Sequence, residues 1–259
     1  MYPGFNGDTG AYIMTKKDLL RKENYSFVVY GDSISKGIVY DEAREKYVLL
    51  EESYPNLLQG KLKGVVHNAA KFGNTVLRAA GKLQNDVLKK HPDIVVIEFG
   101  GNDCDFNWEE IAKDPQGDHQ PNIDFNIFQK LLTSLITSLK REGIVPVLMT
   151  IPPLDADRYF KWISKNSAAV GEKILTWLGS VSKIYWWQER YNSAILNTAQ
   201  ETGTRWIDIR SAFLKTPDFR QFLCIDGIHP NSGGHRLIAD KVMRYIQTNY
   251  KFLLKDGTY

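Results

Sequence analysis

Ser33, Asp226 and His229 are the residues of this chain whose types and spacing suit covalent chemistry. A serine hydroxyl attacks a carbonyl well only when a base takes its proton. Imidazole titrates near neutrality and is the natural base. Asp226 stands three residues before His229, in Asp226-Gly227-Ile228-His229-Pro230. The Asp-Gly step and the following proline favour a tight turn there. Such a turn would set the carboxylate beside the imidazole, where it orients the ring and stabilises the imidazolium formed during acyl transfer. The attacked carbonyl becomes an oxyanion and needs donors fixed in advance. Ser33 would open a helix, whose first N–H groups are free. Gly73 lets its N–H approach a ligand closely, and Asn102 offers a side-chain amide.

Other residues compete for these roles. Ser35 lies beside Ser33, and His235 in Gly233-Gly234-His235 rivals His229 at a spacing from Asp226 less natural for a turn. Asp103 is expected to orient its loop. His67, His91 and His119 have no partner pattern and are expected at surface or strand positions. A metal site built from Asp226, His229 and His235 lacks a recognisable ligand set.

The elements that must position these residues alternate along the chain. Apolar runs at Phe27–Tyr30, Val65–Asn68, Ile94–Phe99, Val145–Thr150 and Arg205–Ile209 read as strands. Several lack strict alternation, as strands buried on both faces do. Helical periodicity fills Tyr54–Leu62, Thr75–Lys90, Asn122–Arg141, Lys183–Thr202 and Ser232–Tyr250. The β-α alternation predicts an α/β fold: a three-layer α/β/α sandwich on a flavodoxin-like, five-stranded parallel sheet. The segments after the strands (Gly31-Asp32-Ser33, Ala69 to Asn74, Gly100-Gly101-Asn102-Asp103, and Asp226 to Asn231) would then converge at the carboxyl ends of the strands, where such sheets bind ligands. One domain is expected over residues 1–259, with an N-terminal arm over 1–25 and an aromatic-rich helical insertion over 154–182. The cluster Tyr159, Phe160, Trp162, Trp177, Tyr185, Trp186 and Trp187 is expected mainly to pack that region onto the core, with at least one ring a candidate pocket wall.

Taken together, these segments resemble the SGNH hydrolase family, also called GDSL-type esterases and lipases. Gly31-Asp32-Ser33, Gly73, Gly100-Gly101-Asn102-Asp103 and Asp226-Gly227-Ile228-His229 match its four blocks in order, over about Phe27 to Asn249. The nucleophile block carries Ile34 where leucine is common. Phe72 stands where a small residue usually precedes the donor glycine, which places it to narrow an acyl pocket. The resemblance implies Ser33, Gly73 and Asn102 as oxyanion-hole donors, a triad of Ser33, Asp226 and His229, and no metal or organic cofactor.

Composition excludes some classes and leaves others. The net charge of +3, from 33 basic and 30 acidic residues, argues against a dedicated nucleic-acid binder. No apolar stretch is long enough for a membrane span. The first twenty residues lack a signal-peptide pattern, so a cytoplasmic location is expected. Cys104 and Cys224 show no CxxC or zinc spacing and are expected to be buried thiols. The expected activity is hydrolysis of a small-molecule carboxylic ester, short acyl groups on carbohydrate among the candidates. Acyl transfer by the same triad and a catalytically silent binding module are the alternatives.

Overall fold

The computed structural model describes residues 22–257. The arm expected over 1–25 therefore lies almost wholly outside the described residues, and Tyr25 already opens the first strand. In chain order, β1 (Tyr25–Gly31) leads through α1 (Ser33–Lys36) to a hairpin, β2 (Ile38–Asp41) and β3 (Lys46–Leu49), then α2 (Tyr54–Gln59) and β4 (Gly64–Asn68). Next come α3 (Val76–Ala80), α4 (Leu83–Asp86), β5 (Ile94–Glu98), α5 (Trp108–Lys113), α6 (Phe125–Arg141) and β6 (Val145–Met149). The chain continues through α7 (Ala156–Ile163), α8 (Ala168–Leu178), α9 (Ser182–Glu201), β7 (Arg205–Ile207), α10 (Arg210–Leu214) and α11 (Ser232–Asn249). No helix among the described residues is long and apolar enough to cross a membrane.

The main sheet is parallel, in the order β4-β1-β5-β6-β7. Counting its members along the chain, this is the flavodoxin-like order 2-1-3-4-5, with its switch point between β1 and β5. Side chains alternate across the pleat. Val28 and Tyr30 of β1 therefore join Val95, Ile97 and Leu148 under α3, α6 and α9. Phe27 and Val29 join Ile94, Val147, Met149 and Ile207 under α2, α10 and α11. Both faces of β1 and β5 are buried, which is why those runs lack a polar alternation in sequence.

The helix expected over Thr75–Lys90 is broken. α3 is capped by the Thr75 side chain and ends at Gly81, Lys82 departs from helical geometry, and α4 is followed by one 3₁₀ turn, Leu88–Lys90. Glycine and the Asn85-Asp86 pair are poor helix formers. Burial of Val76, Ala79, Leu83 and Val87 holds the pieces against the sheet although no single helix joins them. The segment 154–182 folds as α7 and α8, packed through Leu154, Tyr159, Leu178 and Ile184 and through Ile174.

Candidate active site

Ser33, Gly73, Asn102 and His229 all line one cavity of about 180 Å³ above the switch point. One water molecule occupies about 30 Å³ of liquid, so the space admits a group of several heavy atoms. β1 ends at Gly31, and the chain turns at once into the short helix α1, so Ser33 stands in its first turn. Asp32 caps that turn, its Oδ1 accepting from the Ile34 N–H at 2.9 Å.

The Asp226–His229 turn lies between a 3₁₀ turn (Phe219–Phe222) and α11. Asp226 Oδ1 accepts from the N–H groups of Ile228 (3.0 Å) and His229 (3.1 Å), which closes the turn on its own side chain. Gly227 has φ +76°, and a Cβ there would lie 2.7 Å from the Asp155 carbonyl oxygen and 2.8 Å from the Tyr159 nitrogen. Only glycine tolerates both the backbone conformation and that approach to α7. The Asp155 N–H donates to the Gly227 carbonyl at 2.8 Å, so the insertion and the turn brace each other.

With the turn closed, His229 Nδ1 lies 2.6 Å from Asp226 Oδ2, and His229 Nε2 lies 2.8 Å from Ser33 Oγ. An ionised carboxylate can only accept. Nδ1 therefore carries the ring proton, and Nε2 has its lone pair toward the serine hydroxyl. Burial pushes the Asp226 carboxyl up, but the hydrogen bond and charge of His229 and the two turn N–H groups outweigh it and hold it below the usual carboxylate value. Asp226 is thus an anion held against the imidazole N–H.

The three expected donors border the same space. No acceptor is placed for the N–H of Ser33 or of Gly73 among the described residues. Gly73 has φ +64° and open space where a Cβ would be. The Asn102 amide gives one N–H to Asp32 Oδ2 at 3.2 Å, leaving a second for a ligand. Asp103 holds the loop, with Oδ1 accepting from Val76 N–H (2.8 Å) and Oδ2 from Gly100 N–H (3.0 Å). Its burial raises it to about 7.

The competitors are placed elsewhere. Ser35 is buried and donates to Glu98 Oε2 at 2.8 Å. His235 is buried inside the first turn of α11, with Nδ1 accepting from the Tyr54 N–H at 3.4 Å. Burial, with the charge of His229, lowers it to about 4, so it is neutral. No group of three or more metal-ligating side chains forms among the described residues.

Tyr47, Asp105, Phe106 and Trp108 line the cavity and escaped the sequence reading, whereas Phe72 and the aromatic cluster are expected near it from the sequence. Tyr47, on the hairpin strand β3, lines the cavity, donates its hydroxyl to Asp226 Oδ2 at 3.1 Å, and sets its ring 5.1 Å from the imidazole. The available signal was the apolar-aromatic run Ile38-Val39-Tyr40 answered by Tyr47-Val48-Leu49 across a polar turn. Phe72 lies nearly parallel to the imidazole, 6.4 Å away, and 5.4 Å from Tyr47. Of the aromatic cluster, Tyr159 and Trp187 reach the cavity, beside Phe106 and Trp108, while Trp162 packs on Tyr40 and Tyr47. Asp105 Oδ1 accepts from Trp108 Nε1 (2.8 Å) and the Tyr159 hydroxyl (2.7 Å), which ties α5 to α7 at the cavity wall.

The model of the GDSL-like lipase/acylhydrolase family matches residues 29–237. The chain belongs to this family, one of carboxylic ester hydrolases. An acetylxylan esterase from Geobacillus stearothermophilus is 24% identical over 227 residues, covering 83% of this chain and 91% of that one. A GDSL esterase/lipase from Arabidopsis thaliana is 24% identical over 156 residues; the match takes in 60% of this chain and 55% of the plant enzyme's length. The lipase/acylhydrolase from Enterococcus faecalis superposes with a TM-score of 0.61 at 22% identity, covering 89% of this chain and 97% of that one.

Proposed function

We propose that this protein hydrolyses small carboxylic esters through an acyl-enzyme on Ser33. The carrying observation is the unbroken line Ser33 Oγ, His229 Nε2, His229 Nδ1, Asp226 Oδ2, with contacts of 2.8 and 2.6 Å, at the wall of a cavity. Ser33 Oγ attacks the ester carbonyl as His229 Nε2 takes its proton. The oxyanion is received by the N–H groups of Ser33 and Gly73 and the free N–H of Asn102. His229 then protonates the leaving alcohol. A water, deprotonated by the same nitrogen, releases the acid and restores Ser33. None of these steps draws on a cofactor.

The acyl group proposed is short and the alcohol a carbohydrate. Aromatic side chains, among them Phe106, Trp108 and Trp187, line the cavity, and aromatic rings suit sugar rings. The similarity to an acetylxylan esterase supports the same substrate class. A cytoplasmic site of action completes the proposal, supported by two buried free thiols, Cys104 and Cys224; subcellular fractionation tests it.

The deciding experiment combines a fluorophosphonate probe, p-nitrophenyl esters of increasing acyl length, and acetylated xylo-oligosaccharides. The expected result is stoichiometric labelling, fastest turnover of the shortest esters, and acetate release from the oligosaccharide. No labelling and no turnover would point to a silent binding module. A rate that rises strongly when an acceptor alcohol is added would point to acyl transfer.

Tyr47 contributes a second donor to the oxygen that faces His229. Tyr47→Phe is expected to lower kcat by about three- to tenfold, in keeping with about 1 kcal/mol for one hydrogen bond of several to a carboxylate. Asp226 keeps its bonds to His229 and to the turn, so the melting temperature should change little. Steady-state kinetics and thermal melts on the same preparation check both statements.

A further inference from the structure

Next to the candidate triad lies a row of buried polar groups that the proposed reaction does not use. Tyr54 Oη and Ser35 Oγ are 2.7 Å apart, and Ser35 Oγ is 2.8 Å from Glu98 Oε2. Glu98 is the last residue of β5 and pairs in register with Gly31, so the chain passes directly from its partner into Asp32. The Glu98 and Asp32 carboxyls are neighbours, each within reach of the other's charge. Asp32 in turn accepts from Ile34 N–H through Oδ1 and from the Asn102 amide through Oδ2.

Both carboxyls are closed off from solvent, at 0% exposure for Glu98 and 1% for Asp32. Two adjacent carboxyl groups in such a place cannot both ionise. Glu98 Oε1 is buried and receives no donor. An anionic oxygen left in that condition is strongly disfavoured, whereas a protonated one satisfies itself by donating to Asp32. The hydrogen bonds then run one way, from the Tyr54 hydroxyl to Ser35, from Ser35 to Glu98, and from Glu98 to Asp32. Burial, and next the Asp32 charge, push Glu98 well above the usual carboxylate range.

We propose that Glu98 is a positioning residue of the oxyanion site, a neutral acid that holds Asp32 and through Asp32 fixes the Asn102 amide beside Ser33. This rests on the hydrolase reading above and deepens it. Asp32 then has a reason to stand in the nucleophile turn beyond capping α1. It is the joint between a buried proton and a catalytic donor.

The test is steady-state kinetics on p-nitrophenyl acetate for wild type, Glu98→Gln and Glu98→Leu, from neutral to alkaline pH, with thermal melts at each pH. Glutamine keeps both contacts, donating through Nε2 and accepting through Oε1, so kcat should stay within about threefold of wild type at neutral pH. Leucine removes the donor that Glu98 offers Asp32 and the acceptor it offers the Ser35 hydroxyl. It should lower kcat about tenfold or more with KM within about twofold, because the oxyanion contact is made in the transition state. The groups facing the shared proton are Asp32 and Ser35 on the nucleophile turn, Tyr54 on α2, Asp103 after β5, and His229 across from Asp32. Below the ordinary glutamate value, native and unfolded chains both hold the proton. As pH climbs from there through the raised native value, the stability it supports is lost. Wild type should therefore lose kcat and melting temperature at alkaline pH, and Glu98→Gln, with no such proton, should keep both to higher pH. A glutamine variant as impaired as leucine, a loss seen in KM alone, or alkaline limbs that coincide would each overturn the proposal. Should Glu98→Leu fail to fold, the pH profile of Glu98→Gln decides alone. An inactive, unlabelled wild type overturns the hydrolase reading and this role with it, whereas an active wild type with an unfavourable Glu98 series overturns this role alone.

Discussion

Ser33→Ala is expected to lower kcat by about 10⁶-fold and to abolish fluorophosphonate labelling, with the fold intact. The size follows from the covalent route, since removing a nucleophile in this kind of triad costs about as much as removing the whole triad. The fold should survive for a local reason. Ser33 Oγ has His229 Nε2 as its hydrogen-bond partner and lines the cavity, where water replaces it. The cap on α1 comes from Asp32, and the substitution leaves it in place. A residual rate of about 10³–10⁴ over water is expected from the oxyanion donors and substrate binding. Ser35→Ala serves as the contrast. That hydroxyl bridges Tyr54 and Glu98, so its loss should leave labelling of Ser33 intact. Labelling that survives Ser33→Ala and disappears with Ser35→Ala would reverse the assignment.

Asp226→Asn carries the next largest expected effect, about 10⁴-fold in kcat. The argument runs through the ring proton. Oδ1 accepts from two backbone N–H groups, so the amide oxygen must take that place to keep the turn closed. The amide nitrogen then replaces Oδ2, 2.6 Å from His229 Nδ1. An amide N–H donates, and Nδ1 must accept, which moves the ring proton to Nε2. That nitrogen then presents a hydrogen to Ser33 and cannot take its proton. Geometry is retained while the tautomer is reversed, so KM should change far less than kcat. The same substitution removes an acceptor from the Tyr47 hydroxyl. Asp226→Asn combined with Tyr47→Phe should therefore show less than the product of the two single effects. A tenfold or smaller loss in Asp226→Asn, measured by kcat at neutral pH, would mean that the carboxylate does not set the tautomer.

Much of the fold was legible because burial on both faces leaves a strong mark. The runs Phe27–Tyr30 and Ile94–Ile97 are apolar throughout, and they form the centre of the sheet within β1 and β5. The long periodic stretch after Asp124 became α6, ending before Gly143 at φ +71°. The hairpin β2–β3 left a weaker trace, since two four-residue strands with no fully buried residue carry little pattern. The break at Gly81 was hidden for the opposite reason. The helical spacing of Val76, Ala79, Leu83 and Val87 is real, because each short piece presents its apolar residue to the same core.

The sequence by itself determined the chemistry that the chain can offer. Asp226 and His229 are three residues apart, and a side chain that caps its own turn needs nothing distant to do so. Ser33, Gly73 and Asn102 follow strands, and a parallel sheet brings all such ends to one edge. What only the tertiary structure decided are the contacts between elements far apart in the chain. Tyr47 reaches Asp226 across 179 positions, and Glu98 meets Asp32 because β5 lies beside β1 in a particular register. Packing also selected between equals, turning Ser35 to Glu98 and burying His235 against Tyr54. Local spacing is a property of the chain, whereas the protonation of a buried carboxyl and the aim of a hydroxyl depend on neighbours that only folding supplies.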